Sequence, residues 1–324
     1  MKPRPKVLVT TVPFGELDGR PLEMLAQAGL EVVLNPMNRK LTAEDLAGLI
    51  SGVDFLIAGT EEINETVLNC ADSLRLIARV GIGLDSVDLR GTRERGIPVT
   101  YTPDAPSEAV ADLTVGLMLS CLRQIHVANE RMHSGQWHRY FGRRLGLLTI
   151  GLIGLGRIGS RVARRLDGFG PRAILGHDLL SRDRLEIPES VQLVDLERLV
   201  HESDVISLHI PLSTKTKGMF DSTRLRAMKP DAVLVNTSRG GVIVEADLLD
   251  VLSDGHLAAA ALDVFDLEPY RGPLEQQSRV LLTSHMGSMS VDSRTNMEVE
   301  AVEEVVRMVK GLPLIRQVPE FEYE

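Results

Sequence analysis

Short apolar runs that stop at a glycine, a proline or a polar residue recur along this chain, and longer stretches of helical periodicity separate them. In the first third they fall at residues 7–9, 32–34, 55–57, 76–78 and 97–99. Strands buried on both faces read as continuous apolar runs, and parallel strands need crossover helices between them. The rhythm therefore predicts βαβ units and an α/β fold. It restarts downstream, with strands expected at residues 149–153, 173–176, 205–209, 232–236, 259–263 and 280–283. Two series imply two Rossmann-like domains with parallel sheets, and 324 residues exceed what one hydrophobic core usually serves. Between the series, residues 109–131 read as one long, mostly apolar helix behind Ser107 and Glu108, an N-cap and an acid at the positive helix end. Its all-round apolar surface calls for burial at a domain junction or against a second subunit. A last helix is expected over residues 292–310, where Met297, Ala301, Val302, Val305, Val306 and Val309 share one face.

Composition excludes several functions. A net charge of −9 leaves no concentrated basic face for nucleic acid, so small molecules are the expected ligands. The longest apolar run, residues 145–156, is too short to span a bilayer, so no membrane partner is expected. Cys70 and Cys121 have no metal-like or redox-like spacing, which suits a reducing, cytoplasmic location. No metal is expected: His126 and His133 lie on one side of the long helix without the acid and third histidine of a zinc set. Arg161, Arg164 and Arg165 read as a solvated helix face with packing stems.

The chemistry concentrates at strand ends. The strand at residues 149–153 runs into Gly154, Leu155, Gly156, Arg157, Ile158 and Gly159, and then into a helical pattern. In that context the first glycine permits a tight turn and the second lets backbone approach a pyrophosphate. The third lets helix pack on strand, and the helix N-terminus attracts the anion. The next strand ends at Asp178, where a carboxylate would take both adenosine ribose hydroxyls and repel a 2′-phosphate. This favours NAD, with Arg182 nearby as the one opposing feature. Arg239, Glu268 and His285 follow later strands, at the edge where open α/β sheets bind ligands. An arginine offers a planar fork for a carboxylate and an adjacent carbonyl oxygen, a histidine exchanges a proton near neutral pH, and a glutamate can hold that histidine protonated.

From Ala78 to Gly311 the sequence closely resembles the D-isomer-specific 2-hydroxyacid dehydrogenases, in the phosphoglycerate-dehydrogenase-like branch. The resemblance rests on motifs in family order: the segment from Arg79 to Asp88, the glycine fingerprint with Asp178, the segment from His209 to Leu212, and the Arg239, Glu268 and His285 segments. It implies an NAD-binding domain, residues 103–289, inserted into a discontinuous substrate domain, residues 1–102 and 290–324. It also implies hydride transfer between NAD and C2 of a small 2-hydroxy or 2-keto acid. Arg239 would orient substrate, His285 act as acid and base, and Glu268 pair with it, while backbone amides at Val80 and Gly81 hold the substrate carboxylate. Arg157, Ile158, Asp178, His209, Pro211, Thr237 and Asp263 would line the NAD site, and relatives imply a homodimer. Two departures are Ser284, where a proline is usual, and His177, where tyrosine is common. Substrates left open are 3-phosphoglycerate, glyoxylate or hydroxypyruvate, and other 2-keto acids. Glu61 and Glu62 stand where a phosphate-binding arginine would help, and Arg79 is a candidate phosphate ligand. Alternative readings on the same scaffold are a phosphite-type dehydrogenase and a dinucleotide-sensing corepressor-like binding module.

Overall fold

The structure, a computed structural model, describes residues 4–323. Residues 1–3 and 324, which the expected domains include, lie outside the described residues. The chain divides into two compact units. The divisions fall between Pro106 and Ser107 and between Ser288 and Met289, not at the expected 102/103 and 289/290. The first shift has a local reason, because Ser107 starts a helix of the second unit.

Unit 1 is built on a five-stranded parallel sheet of order β2-β1-β3-β4-β5. Its strands are β1 (Lys6–Val9), β2 (Glu31–Leu34), β3 (Phe55–Ala58), β4 (Leu76–Arg79) and β5 (Val99–Thr100). The central strands β3 and β4 are buried at every residue, as their apolar runs require, while edge strand β2 is half-exposed. Helices α1 (Arg20–Gln27), α2 (Ala43–Ala47), α3 (Glu65–Cys70) and α4 (Leu89–Glu94) return the chain between strands. Side chains start three of them: Thr42 accepts from Asp45 N–H in a capping box, Asn64 from Val67 N–H and Asp88 from Gly91 N–H. Each cap satisfies an amide that the first turn would otherwise leave unpaired.

Unit 2 begins with α5 (Ser107–Arg123) and α6 (Ile125–His133), where one continuous helix was expected. The two are bent by 66° at Gln124, whose φ of 53° is left-handed. The apolar pattern runs on past the bend, but burial stops there: α6 has no buried residue. The apolar side chains of α5, among them Ala111, Leu117, Met118, Cys121 and Leu122, are buried within unit 2 against α7 (Arg157–Asp167), β10 (Val233–Asn236) and β11 (Ala259–Leu262). Leu113 and Leu119 are only partly buried, and Ile125 and Met132 past the bend are exposed, so some apolar surface stays uncovered on this stretch. Exposed aromatic area lies beyond α6, at Trp137 (78 % exposed) and Phe141 (99 % exposed). No single helix among the described residues is long and apolar enough to cross a membrane.

The remaining elements of unit 2 are β6 (Thr149–Ile153), β7 (Ala173–His177), β8 (Val191–Leu193), α8 (Leu196–Glu202), β9 (Val205–Leu208), α9 (Ser222–Ala227), α10 (Glu245–Ser253) and β12 (Val280–Leu282). They complete a seven-stranded parallel sheet of order β12-β11-β10-β9-β6-β7-β8. The order reverses between β6 and β9, which makes their carboxyl ends the topological switch point where such sheets bind ligands. Strand β8, only three residues with an exposed glutamine at its centre, carries too little apolar signal to be foreseen. The arginines expected as a merely solvated face tie α7 to α5. Arg165 lies 2.7 Å from Glu108 and 2.5 Å from Asp112, and Arg161 lies 2.6 Å from Glu108.

The chain returns to unit 1 as α11 (Val291–Val309), which buries Met297, Ala301, Val302 and Val305 against α1, β3 and β4. A buried ion pair stitches this helix to the loop after β1. Arg294 Nε donates to Glu298 at 2.7 Å and its Nη2 to Thr11 Oγ1 at 3.0 Å and to Pro13 O, while Glu298 accepts from Gly15 N–H at 2.8 Å. Removing one partner would strand a buried charge, so the pair resists being broken more than it adds stability.

Candidate active site

At the switch point the glycines do what their spacing suggested. Gly154 follows β6 with φ 88°, and a Cβ there would stand 2.5 Å from His209 O. A Cβ on Gly159 would stand 2.0 Å from Gly154 O, so the helix can only pack this closely without one. Gly156, by contrast, faces open space, and no side chain caps α7. Its first-turn amides and positive end are thus available to an anion such as a pyrophosphate. Asp178 stands at the end of β7, where Oδ2 accepts from Leu155 N–H at 2.7 Å and Oδ1 from Leu180 N–H at 2.9 Å. A carboxylate has about four acceptor positions, so capacity remains for ribose hydroxyls. Arg182 does not oppose this: its guanidinium donates to Val191 O at 2.7 Å and Pro188 O at 3.0 Å, backbone carbonyls at β8 and on the loop that leads to it.

After β9, both ring nitrogens of His209 are buried without a hydrogen-bond partner among the described residues. Burial pushes this imidazole down to about 3, so it stays neutral across any working pH. Such an orphaned pair at the switch point fits a polar ligand that completes it. After β10, Thr114 Oγ1 donates to Val110 O at 2.7 Å and meets Thr237 Oγ1 at 2.9 Å. With the Thr114 proton so placed, Thr237 donates to Thr114 and presents its own lone pairs outward. Glycine cradle, helix terminus, ribose-side carboxylate and unpartnered histidine together fit a dinucleotide, with Arg157 and Ile158 in the first turn of α7 and Pro211 two residues beyond His209.

The acid–base pair is formed in the same unit. His285 Nδ1 lies 2.8 Å from Glu268 Oε2, while Glu268 Oε1 accepts from Phe265 N–H at 3.1 Å. One carboxylate oxygen is thus fixed by backbone and the other by the imidazole. With Nδ1 so engaged, Nε2 is the ring nitrogen left to exchange a proton. His285 itself sits at φ 52°, a left-handed conformation that a non-glycine residue holds only when its surroundings insist. Asp263 supplies that insistence. Its Oδ1 accepts from Thr283 Oγ1 at 2.5 Å and Met286 N–H at 2.9 Å, its Oδ2 from Gly287 N–H at 2.8 Å, and its backbone oxygen from His285 N–H at 2.8 Å. Sequence reasoning gave Asp263 only to the lining of the NAD site and missed Thr283 altogether. Three donors leave about one acceptor position on the Asp263 carboxylate for a carboxamide.

Val80 and Gly81 belong to unit 1, in the loop after β4, and their amides are already committed. Val80 N–H donates to Ala58 O and Gly81 N–H to Thr102 Oγ1, both at 2.8 Å. Both amides thus have protein acceptors, so holding a substrate carboxylate as well would need a shared proton. The next N–H groups, those of Ile82 and Gly83, donate to no acceptor among the described residues. Arg79, 6 % exposed, folds over this loop: Nε donates to Gly83 O at 2.9 Å and Nη1 to Val80 O. Glu61 also turns inward, accepting from Thr10 Oγ1 and from Gly59 N–H at 3.0 Å.

Comparison with known proteins agrees with this geometry. Residues 115–287 match the model of the D-isomer specific 2-hydroxyacid dehydrogenase NAD binding domain. Over 318 residues, 95 % of this chain and 92 % of its own length, the glyoxylate reductase of Thermofilum pendens is 36 % identical. The hydroxypyruvate reductase of Thermotoga maritima is 34 % identical over 295 residues, 87 % of this chain and 95 % of its length. Among solved structures, the TT0316 protein from Thermus thermophilus superposes with a TM-score of 0.86 at 36 % identity, covering 97 % of this chain and 100 % of that one.

Proposed function

The chain belongs to the D-isomer-specific 2-hydroxyacid dehydrogenases, NAD-dependent oxidoreductases of the CH–OH group, and on that premise we propose that it interconverts glyoxylate or hydroxypyruvate with the corresponding 2-hydroxy acid. The observation that carries the chemical assignment is the 2.8 Å contact of His285 Nδ1 with Glu268 Oε2. Bound NADH supplies the hydride to C2 of the keto acid. The imidazolium of His285 gives its Nε2 proton to the carbonyl oxygen, and the Glu268 carboxylate stabilises the charged ring before that transfer. Arg239 binds the substrate carboxylate and draws charge from the reacting oxygen, an interaction that strengthens as that oxygen becomes negative. In the oxidative direction neutral His285 takes the hydroxyl proton back.

On the cofactor side Asp178 selects NADH over NADPH, because its carboxylate would face a 2′-phosphate with like charge while Arg182 is held by carbonyls. Arg79 is buried and turned onto its own loop, which makes it a poor receptor for a phosphate and favours the small unphosphorylated keto acids. Trp137 and Phe141 support a homodimer, since isolated aromatic area of this size is costly to leave in water. Two free cysteines, Cys70 and the buried Cys121, suit the cytoplasm. Steady-state NADH oxidation with glyoxylate, hydroxypyruvate and phosphohydroxypyruvate tests the substrate assignment. Higher kcat/KM for either unphosphorylated acid is expected, and a clear preference for the phosphorylated one would reverse it.

A further inference from the structure

Asn236 ends β10 with no exposed surface, and its amide is spent on the loop that delivers Arg239. Oδ1 accepts from Ser238 N–H at 3.0 Å and from Ser238 Oγ at 2.8 Å, and Nδ2 donates to Arg239 O at 2.8 Å. The first contact is an Asx turn, a side chain closing on the amide two residues ahead. The third reaches one residue further and fixes the carbonyl of Arg239 itself. Arg239 Nη1 then folds back onto Ser238 O at 2.7 Å, so the same short loop constrains both ends of the arginine. Strand β10 is interior to the sheet, paired with β9 and β11, and Asn236 O accepts from Asp263 N–H at 3.0 Å. The asparagine is therefore referenced to the rigid sheet on one side and to the arginine loop on the other.

We propose that Asn236 is the positioning residue for Arg239, setting the angle at which the guanidinium meets the substrate carboxylate and so the enzyme's affinity for 2-keto acids. No other residue could keep all three contacts. Aspartate keeps the acceptors for Ser238 but turns an oxygen toward Arg239 O, and serine is too short to reach it. A misplacement of about 1 Å in a positioning group costs on the order of a hundredfold in rate, so the effect should be large although Asn236 touches neither substrate nor cofactor. The proposal rests on the assignment of Arg239 as the carboxylate receptor.

The test uses Asn236→Asp and Asn236→Ser in the full-length protein, with Arg239→Lys as the control. NADH affinity is read from its own fluorescence, and affinity for oxamate, a keto-acid isostere that cannot be reduced, from competition against glyoxylate. Both Asn236 variants should keep NADH affinity within about twofold while oxamate binding and kcat/KM fall together by about tenfold to a hundredfold. Unchanged oxamate affinity in either folded variant overturns the proposal. Equal losses of NADH and oxamate binding, or failure of both variants to fold, also overturn it, because the asparagine would then be a general core residue. Arg239→Lys separates the two readings. If it leaves oxamate binding intact, the receptor assignment itself fails; if it abolishes binding while the Asn236 variants do not, only the positioning role is lost.

Discussion

Replacing Glu268 by glutamine removes one charge and almost no volume. The imidazole it faces lies 2.8 Å away, and the histidine and glutamate side chains are 36 % and 24 % exposed. Two unit charges about 4 Å apart interact by about 4 kcal/mol at an effective dielectric near 20. Partial exposure and solvent screening reduce this toward about 1–2 kcal/mol, between a surface pair and a charge-assisted hydrogen bond. Glutamine brings a second penalty, since it cannot accept from both Phe265 N–H and His285 Nδ1 as the carboxylate does. About 1.4 kcal/mol corresponds to a factor of ten in rate, so keto-acid reduction should slow by about tenfold in the variant. The assay is kcat/KM for keto-acid reduction near neutral pH, with 4-deuterated NADH to confirm that hydride transfer limits the rate. Equal kcat/KM in variant and wild type would refute the pairing as the source of the proton chemistry.

Asp178→Ala should narrow the preference for NADH over NADPH by raising kcat/KM with NADPH, measured with both cofactors; a wild-type enzyme that prefers NADPH contradicts the ribose assignment. Glu108→Gln should lower stability near neutral pH by on the order of 0.5–1 kcal/mol, as partly exposed ion pairs do. Hydrogen bonds first from Arg165 and then from Arg161 hold the Glu108 carboxyl below its usual range. That contribution is present above the unfolded carboxylate range and lost as pH falls through the folded value. Thermal melts of wild type and variant should therefore converge in acid, and a constant gap at every pH would count against the ion network. The double variant Trp137→Ser with Phe141→Ser should shift light-scattering mass from dimer toward monomer at micromolar concentration, whereas a wild type already monomeric removes the dimer proposal.

Both sheets and the nucleotide cradle were legible because their determinants are local. A strand buried on both faces must be a continuous apolar run, and a turn such as that at Gly154 needs a glycine wherever it occurs. Asp178, Glu268 and His285 could be nominated for a related reason, since ligand chemistry gathers at the carboxyl edge of parallel sheets. What escaped depends on partners distant in the chain. The bend at Gln124 interrupts no apolar pattern; it follows from where the unit 2 core ends. That the Val80 and Gly81 amides have protein acceptors is decided by Ala58 and Thr102, and nothing in the segment itself announces it. Likewise the Asp263 carboxylate looks like a ligand contact until Thr283, Met286 and Gly287 close upon it.

The central claim is that His285 delivers the proton that accompanies hydride transfer. Its most direct test is a single turnover in a stopped-flow instrument, mixing the enzyme–NADH complex with excess hydroxypyruvate near neutral pH. General acid catalysis typically contributes a factor of about a hundred to ten thousand. His285→Gln should therefore slow loss of the nicotinamide signal by at least about a hundredfold, while NADH binds as it does to wild type. Equal single-turnover rates in variant and wild type would contradict the account, because another group would then have to supply the proton.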